Sequence, residues 1–383
     1  MKRDINDKIE FQGKRPPLIR YLDRTTEPIK EMDIPEGKKA LIIRWGAIGD
    51  MVFVTPIPRL LKEQGYYVVV NCQRPGLMIM QNNPYIDEFW FQESKAIDPQ
   101  KYDAYWELIS KGFDKVINLT QSVEGDLLKF PDYMHPMRKR KEDRVDENFI
   151  DYTLEFSGFK ERGLKGEIYF SEEEEREAKK FLENFKDKFV VIVVVMGSSI
   201  SKSYPYWPFI FNEATLYKDM PELITITTGD EWGRLLEWDH EHNIKGSSIL
   251  SVRKSLALCK FSNLVIGPDT GIVNGAGCFD VPKICLLGQT SHNNIAKYWE
   301  NDYSIQSPAK CSPCYSIVYV REQCEVDPYT HGNVCMKELK PDIVVAQIKK
   351  VYKEWKKNNY KSRIITPGEY HQERKPSQPL VVM

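Results

Sequence analysis

Residues 189–196 read FVVIVVVM, an unbroken run of eight apolar residues, six of them β-branched. A half-exposed strand would alternate polar and apolar positions, and a membrane-spanning helix needs about 20 apolar residues. What remains is a strand at the centre of a parallel sheet, covered on both faces. Parallel neighbours need crossover connections, normally helices, so this segment commits its part of the chain to an α/β architecture. The rest of the sequence keeps the same rhythm. Ala40–Ile43, Tyr66–Val70, Glu88–Phe91 and Lys115–Leu119 read as strands in the first half, and Leu223–Thr228, Leu264–Ile266 and Ile284–Leu287 in the second. Helical patterns lie between them, at Met51–Gln64, Gly76–Gln81, Tyr102–Ser110, Asp146–Ser157 and Ser251–Lys260. Such alternation calls for parallel sheets wound on both sides, and 383 residues is long enough for two domains.

The chain divides accordingly. Residues 1–37, with Pro16, Pro17, Pro28 and Pro35 among mixed charges, read as an irregular arm. A first α/β unit covers 38–170. Ser171, with Glu174 three residues on, is a capping box opening a charged helix whose apolar stripe is Phe181, Leu182 and Phe185. Residues 171–187 thus read as a linker to a second unit, 188–340. Pro341 starts a further helix, 341–358, with Ile343, Val344, Ile348, Val351 and Trp355 on one stripe suited to packing across the domain junction. Residues 359–383 read as a flexible tail.

Apolar residues make up 42% and charged residues 28%, with net charge −1, the balance of a soluble globular protein whose bulk charge implies no nucleic-acid partner. The first fifteen residues lack the apolar core of a signal peptide, and no run approaches a membrane span, so a cytoplasmic location is expected. Arg138, Lys139 and Arg140 fall in the basic stretch 134–144. That stretch is either solvated surface or a seat for an anionic acceptor or lipid headgroups, which would make the protein membrane-peripheral.

Chemistry is to be sought where strands end in glycine turns, because ligands of open α/β sheets bind beyond the carboxyl ends of the strands. After the first strand comes Arg44-Trp45-Gly46-Ala47-Ile48-Gly49-Asp50, which sets Asp50 beside a helix N-terminus. There it is either a helix cap or a carboxylate able to take a proton from a hydroxyl. Residues 263–288 read as strand, tight loop, helix and strand, with Asp269, Thr270 and Gly271 in the loop. A loop of this kind offers backbone N–H groups to phosphate, and the carboxylate and hydroxyl suit a nucleotide-sugar; alternatively Asp269 or Thr270 only caps the helix. Ser198 and Ser199 with Lys202 follow the central strand, either as phosphate ligands or as a polar surface loop. Glu231, in the turn after Leu223–Thr228, is placed to bind ribose hydroxyls. No G-x-G-x-x-G occurs, which argues against a nicotinamide dehydrogenase.

Eight cysteines fall into two groups. Cys72, Cys259, Cys278 and Cys285 lie in or beside apolar segments and read as buried thiols. Cys311, Cys314, Cys324 and Cys335 form C-x-x-C followed by two more, a set that zinc could fill tetrahedrally or that packs as free thiols in a loop. Disulfides are disfavoured in a reducing compartment.

Two segments together, LIIRWGAIGDMVFVTPIPRLLKEQG and NLVIGPDTGIVNGAGCFDVPKICLLGQT, closely resemble the paired signatures of glycosyltransferase family 9, the heptosyltransferases of lipopolysaccharide assembly. RPGLMIMQNNPYIDEFW, GSS with the later WP, TTGDEW, and CSPCY through CMKELKPD match further, so the resemblance spans roughly residues 38–357 in order. It implies a GT-B architecture, two Rossmann-like parallel-sheet domains facing a cleft, with the acceptor in the first and the nucleotide-diphosphate sugar in the second. It implies inverting transfer to a glycan or glycolipid acceptor, with Asp50, of the Gly49-Asp50 pair, as the base and no cofactor required for catalysis. Asp269, Thr270 and Gly271 would bind diphosphate and sugar, Lys202 the phosphates, Ser198 or Ser199 a phosphate oxygen, and Glu231 the ribose. Asn274 stands where most members have histidine; its amide can still hydrogen-bond a sugar or phosphate oxygen. An epimerase-like GT-B enzyme, a non-catalytic nucleotide-sugar-binding protein and a zinc-anchored interaction module are the alternative readings.

Overall fold

The computed structural model describes residues 18–21, 37–93, 97–120, 122–128, 145–197, 202–212, 214–229, 231–247, 249–315, 324 and 333–358. Eleven strands among them form two sheets, and every pairing is parallel. The first sheet takes β1 (Leu18–Tyr21), β2 (Lys39–Arg44), β3 (Tyr67–Cys72), β4 (Glu88–Phe91) and β5 (Lys115–Asn118) in the order β1-β4-β3-β2-β5. The second takes β6 (Phe189–Met196), β7 (Leu223–Gly229), β8 (Asn243–Ile244), β9 (Leu264–Pro268), β10 (Lys283–Leu287) and β11 (Ile305–Gln306) in the order β11-β10-β9-β6-β7-β8.

The run at 189–196 is the interior strand β6, buried at all eight positions. Its side chains alternate between two cores. Val190, Ile192 and Val194 join a cluster that also holds Ala40, Ile42, Val68 and Val70 of the first sheet, so one apolar core crosses the domain junction. Phe189, Val191, Val193 and Val195 face a second core on the other side. Both faces being covered is what removes any need for alternation in this strand.

Three expectations need correction. The arm 1–37 is not irregular throughout: Leu18–Tyr21 adds an edge strand to β4, register Leu18 to Glu88. Four residues between proline-rich flanks carry too short a pattern to announce a strand, and the free edge of β4 supplies the order. The stretch 51–64 is two helices, Ile48–Val54 and Ile57–Glu63. Pro56 lacks an N–H and cannot continue the first ladder. The closing helix Pro341–Lys357 does not bridge the domains: Val344, Ile348, Val351, Tyr352 and Trp355 bury against the outer core of the second sheet, with Phe189 packed on Tyr352 and Trp355. Its apolar stripe matches the face that β6 leaves open there.

The linker helix is Glu172–Glu183, and its capping box forms as read, with Glu174 N–H donating to Ser171 Oγ at 3.1 Å and Ser171 N–H to Glu174 Oε2 at 2.9 Å. Ala178 and Leu182 carry its buried stripe, whereas Phe181 is exposed. Arg253 ties this helix to both units. Its guanidinium, largely buried, donates to Glu174 at 2.6 and 2.7 Å and to the carbonyls of Tyr169 and Met78 at 2.8 and 3.3 Å.

Strand order reverses once in each sheet. From β2 the chain moves outward through β3 and β4, then returns to β5 on the other side; from β6 it moves through β7 and β8, then returns to β9. At such reversals the loops leave in opposite directions and open a crevice at the carboxyl ends of the strands. The two crevices lie at Arg44 with Leu119 and at Gly197 with Asp269.

Candidate functional site

The first crevice is built around Arg44, the last residue of β2 and 2% exposed. Its guanidinium spans the reversal, donating to the Leu119 carbonyl beyond β5 at 2.5 Å. Nη1 and Nη2 also donate to Glu124 Oε2 and Oε1 at 3.1 and 2.6 Å. Glu124 stands on the π-helical turn Ser122–Leu127. Trp45 fixes the turn that follows Arg44, with its indole N–H donating to Asn71 Oδ1 at 2.8 Å and its ring edge-on to Tyr102 and Trp106.

Asp50 sits above this pair in the first turn of Ile48–Val54. One oxygen, Oδ2, accepts from the Ala47 N–H at 2.7 Å, which is the capping duty. The other, Oδ1, lies 3.5 Å from Arg44 Nη2, and the side chain keeps about a quarter of its surface, 26%. Burial pushes the Asp50 carboxyl above the usual carboxylate range, Arg44 pulls it down, and the Glu124 charge pushes it up again. The result is a raised value, the direction that makes a carboxylate a better proton acceptor.

The second crevice holds the Asp269-Thr270-Gly271 loop. Asp269 is buried with both oxygens engaged: Oδ1 accepts from Asn274 Nδ2 at 3.1 Å, and Oδ2 accepts from Thr290 Oγ at 2.8 Å with Lys202 Nζ at 3.5 Å. Its work here is to hold Lys202, Asn274 and Thr290 in place. Thr270 is the N-cap of helix Gly271–Ala276 but makes no side-chain cap bond. Its hydroxyl and the Asn274 Oδ1 are buried polar atoms without a partner. Two orphaned polar atoms on residues four apart along one helix are costly unless something fills them, and that points to a ligand. The central strand comes close behind: a Cβ on Gly197 would stand 2.6 Å from Thr270 Cγ2.

The crevices meet. A Cβ on Gly49 would lie 3.1 Å from Asn274 Nδ2, and one on Gly271 would lie 2.5 Å from Ile48 Cβ and 3.0 Å from the Gly49 nitrogen. The helix that carries Asp50 and the helix that starts at Gly271 thus abut through glycines, and the Lys202 charge acts on Asp50 as well as on Asp269. A small recess, with room for about a single water, opens beside the contact, lined by Lys202, Pro268, Asp269, Gly288, Gln289 and Cys335.

Of the residues singled out from the sequence, Gly49, Asp50, Lys202, Asp269, Thr270, Gly271 and Asn274 come together here. Ser198, Ser199, Arg138, Lys139 and Arg140 lie outside the described residues, and so does the side chain of Glu231, whose backbone opens the short turn Glu231–Leu236. Sequence reasoning passed over Arg44, Glu124 and Thr290. Arg44 left one signal, a lone charge at the end of a buried strand; Glu124 left none.

The Cys335 thiol is pushed up to about 12, first by burial and then by the neighbouring thiols of Cys314, Cys324 and Cys311, which places the four in one neighbourhood. Among the described residues no group of three or more His, Cys, Asp and Glu side chains is placed to hold a metal ion. Among the described residues no helix is long and apolar enough to cross a membrane.

Neither a protein-family profile nor a curated protein sequence matches the chain. Solved structures do. A glycosyl transferase family 9 protein from Veillonella parvula is similar with a TM-score of 0.58 at 16% identity, over 82% of this chain and 97% of that one. ADP-heptose lipopolysaccharide heptosyltransferase II of E. coli gives 0.58 at 12% identity, over 83% and 99%. The chain has the GT-B fold. The iron-containing heptosyltransferase TibC, solved in complex with ADP-D-β-D-heptose, gives 0.53 at 11% identity, over 83% of this chain and 76% of that one.

Proposed function

We propose that this protein is an inverting glycosyltransferase that moves a sugar from a nucleoside-diphosphate donor to an acceptor hydroxyl. The observation that carries the reading is the facing of two groups across the domain junction. One is a partly exposed carboxylate, Asp50, whose basicity is raised; the other is a loop with two unsatisfied polar atoms, Thr270 Oγ and Asn274 Oδ1, beside the Lys202 cation. Asp50 would take the proton of the attacking hydroxyl as it bonds to the anomeric carbon. Lys202 would take up the charge that develops on the departing diphosphate, together with backbone N–H groups at Gly271–Ala276 that Thr270 leaves uncapped. Asn274, in hydrogen-bonding reach of Asp269 and against Gly49, would hold a sugar or phosphate oxygen at the junction.

The donor we propose first is an ADP-sugar of the heptose type, because two of the similar proteins are described as ADP-heptose enzymes or complexes. The acceptor would be a glycan or glycolipid, met in the cytoplasm or at the membrane surface, with the basic residues Arg138, Lys139 and Arg140 on the acceptor side.

A thermal-shift screen of nucleoside diphosphates and their sugars tests the donor half. Ligand at a hundred times its dissociation constant adds about 2.7 kcal/mol of stability, a readily measured rise. Asp50→Asn tests the base: it should keep the nucleotide-induced rise and lose sugar transfer by about 100-fold or more. Transfer at the parent rate would remove Asp50 from the reaction.

A further inference from the structure

Buried Arg44 and half-buried Glu124 form an ion pair beside the carboxylate that the proposed reaction uses, and nothing in that reaction requires them to touch substrate. Their geometry is unequal. Glu124 holds both terminal nitrogens of Arg44, at 2.6 and 3.1 Å, and the Leu119 carbonyl takes a third bond at 2.5 Å. Asp50 is left with a single approach of 3.5 Å, too long for a hydrogen bond. A guanidinium free of Glu124 has the planar fork that closes on a carboxylate with two bonds, and here that carboxylate would be Asp50, whose Oδ1 is 3.5 Å from Nη2.

We infer that Glu124 is a positioning residue for sugar transfer: by occupying the Arg44 fork it keeps the guanidinium from closing onto Asp50 and leaves Asp50 Oδ1 free to accept the acceptor's proton. The inference rests on Asp50 being the base and adds what keeps it one. The division of labour is visible at the atoms. Asp50 Oδ2 is taken by the Ala47 N–H, so Oδ1 is the oxygen available for chemistry, and it is the oxygen nearest Arg44. The charged groups that act on Asp50 are Arg44 from β2, Glu124 from the π turn and Lys202 from the other domain, with Asp269 drawing on the same lysine. The π turn is what delivers Glu124: a one-residue widening of a helical turn redirects a side chain, and such turns concentrate at functional sites.

The test separates this inference from the reading it depends on. Aspartate-labelled protein is titrated by carbon NMR, with the Asp50 carboxyl identified as the signal lost in Asp50→Asn. In Glu124→Gln the Asp50 midpoint should move to lower pH, because the acid's charge is gone and Arg44 turns to Asp50. In Arg44→Met it should move to higher pH, because the cation is gone and Glu124 remains. Release of ADP from ADP-heptose should fall about tenfold or more in kcat for Glu124→Gln, with KM for the donor unchanged and the acid limb of the kcat profile displaced with the NMR midpoint. Glu124→Asp should restore part of the loss. An Asp50 midpoint that stays put or rises in Glu124→Gln overturns the inference, whatever the rates. If Asp50→Asn transfers sugar at the parent rate, the base reading itself has failed and the inference goes with it. If Asp50→Asn is inactive while Glu124→Gln keeps the parent midpoint and kcat, only the role of Glu124 is lost.

Discussion

Replacing Gly271 by alanine adds one methyl at the point where the two domains touch. In the folded chain that carbon would stand 2.5 Å from Ile48 Cβ, 2.6 Å from Ile48 Cγ2 and 3.0 Å from the Gly49 nitrogen. Ordinary contact begins near 3.4 Å, so the gap is short by about 0.9 Å. No rotamer of Ile48 relieves this, because Cβ and a backbone nitrogen do not move with χ1. The helix bearing Asp50 must therefore retreat from the helix at Gly271, or one of them must deform. Overpacking of this kind costs about 1–3 kcal/mol. Alanine's better helix propensity returns up to about 1 kcal/mol, so the net change in stability is small. The geometric effect is larger: a displacement of about 1 Å between reacting groups lowers rate by about 100-fold. Gly271→Ala should thus transfer sugar about 100-fold more slowly, with urea unfolding shifted by no more than about 2 kcal/mol. Gly65→Ala is the control. Gly65 has φ of +81° with nothing within 4 Å of a Cβ, so alanine there should cost about 1–2 kcal/mol of stability and leave transfer unchanged. A Gly271→Ala protein with parental kcat and KM would refute the close approach of the two helices.

Three further outcomes follow from the same coordinates. Arg253→Met removes the ties to Glu174, Tyr169 and Met78, and should lower stability in urea by about 2–3 kcal/mol, less than for a fully enclosed pair because the Glu174 side chain is 23% exposed. Lys283 is buried between the Phe279 and Glu300 carbonyls, and burial lowers its pKa to about 8 from 10.5. The folded chain therefore holds this proton less tightly than the unfolded chain; stability linked to Lys283 is present above pH 10.5 and lost as pH falls through about 8, and the parent should gain stability between pH 8 and 10 relative to Lys283→Met in paired urea titrations. Elemental analysis reads the cysteine quartet: one zinc per chain would show that Cys311, Cys314, Cys324 and Cys335, whose charges act on one another, close on an ion, and none would show that they stay thiols.

Much of this protein was legible in its residues taken in order. The eight-residue run at β6, the glycine turn before Asp50 and the capping box at Ser171 and Glu174 are local patterns, and local patterns are decided by backbone sterics, periodicity and hydrogen bonds between near neighbours. So the α/β class, the crevice loops and seven of the residues that the fold brings together at the junction could be named from the sequence. Which strands lie side by side could not, because pairing joins segments far apart in the chain. Leu18–Tyr21 became a strand only because β4 had an open edge, and the closing helix chose the second domain only because β6 left a matching apolar face there. Asp50 shows the division within one residue. Its neighbours in sequence supply the cap bond from Ala47, but the proton affinity of its carboxyl is raised first by burial and by Glu124 beyond β5, and lowered by Arg44 and by Lys202 in the other domain. Charge acts through space rather than along the chain, so only the folded arrangement decides it.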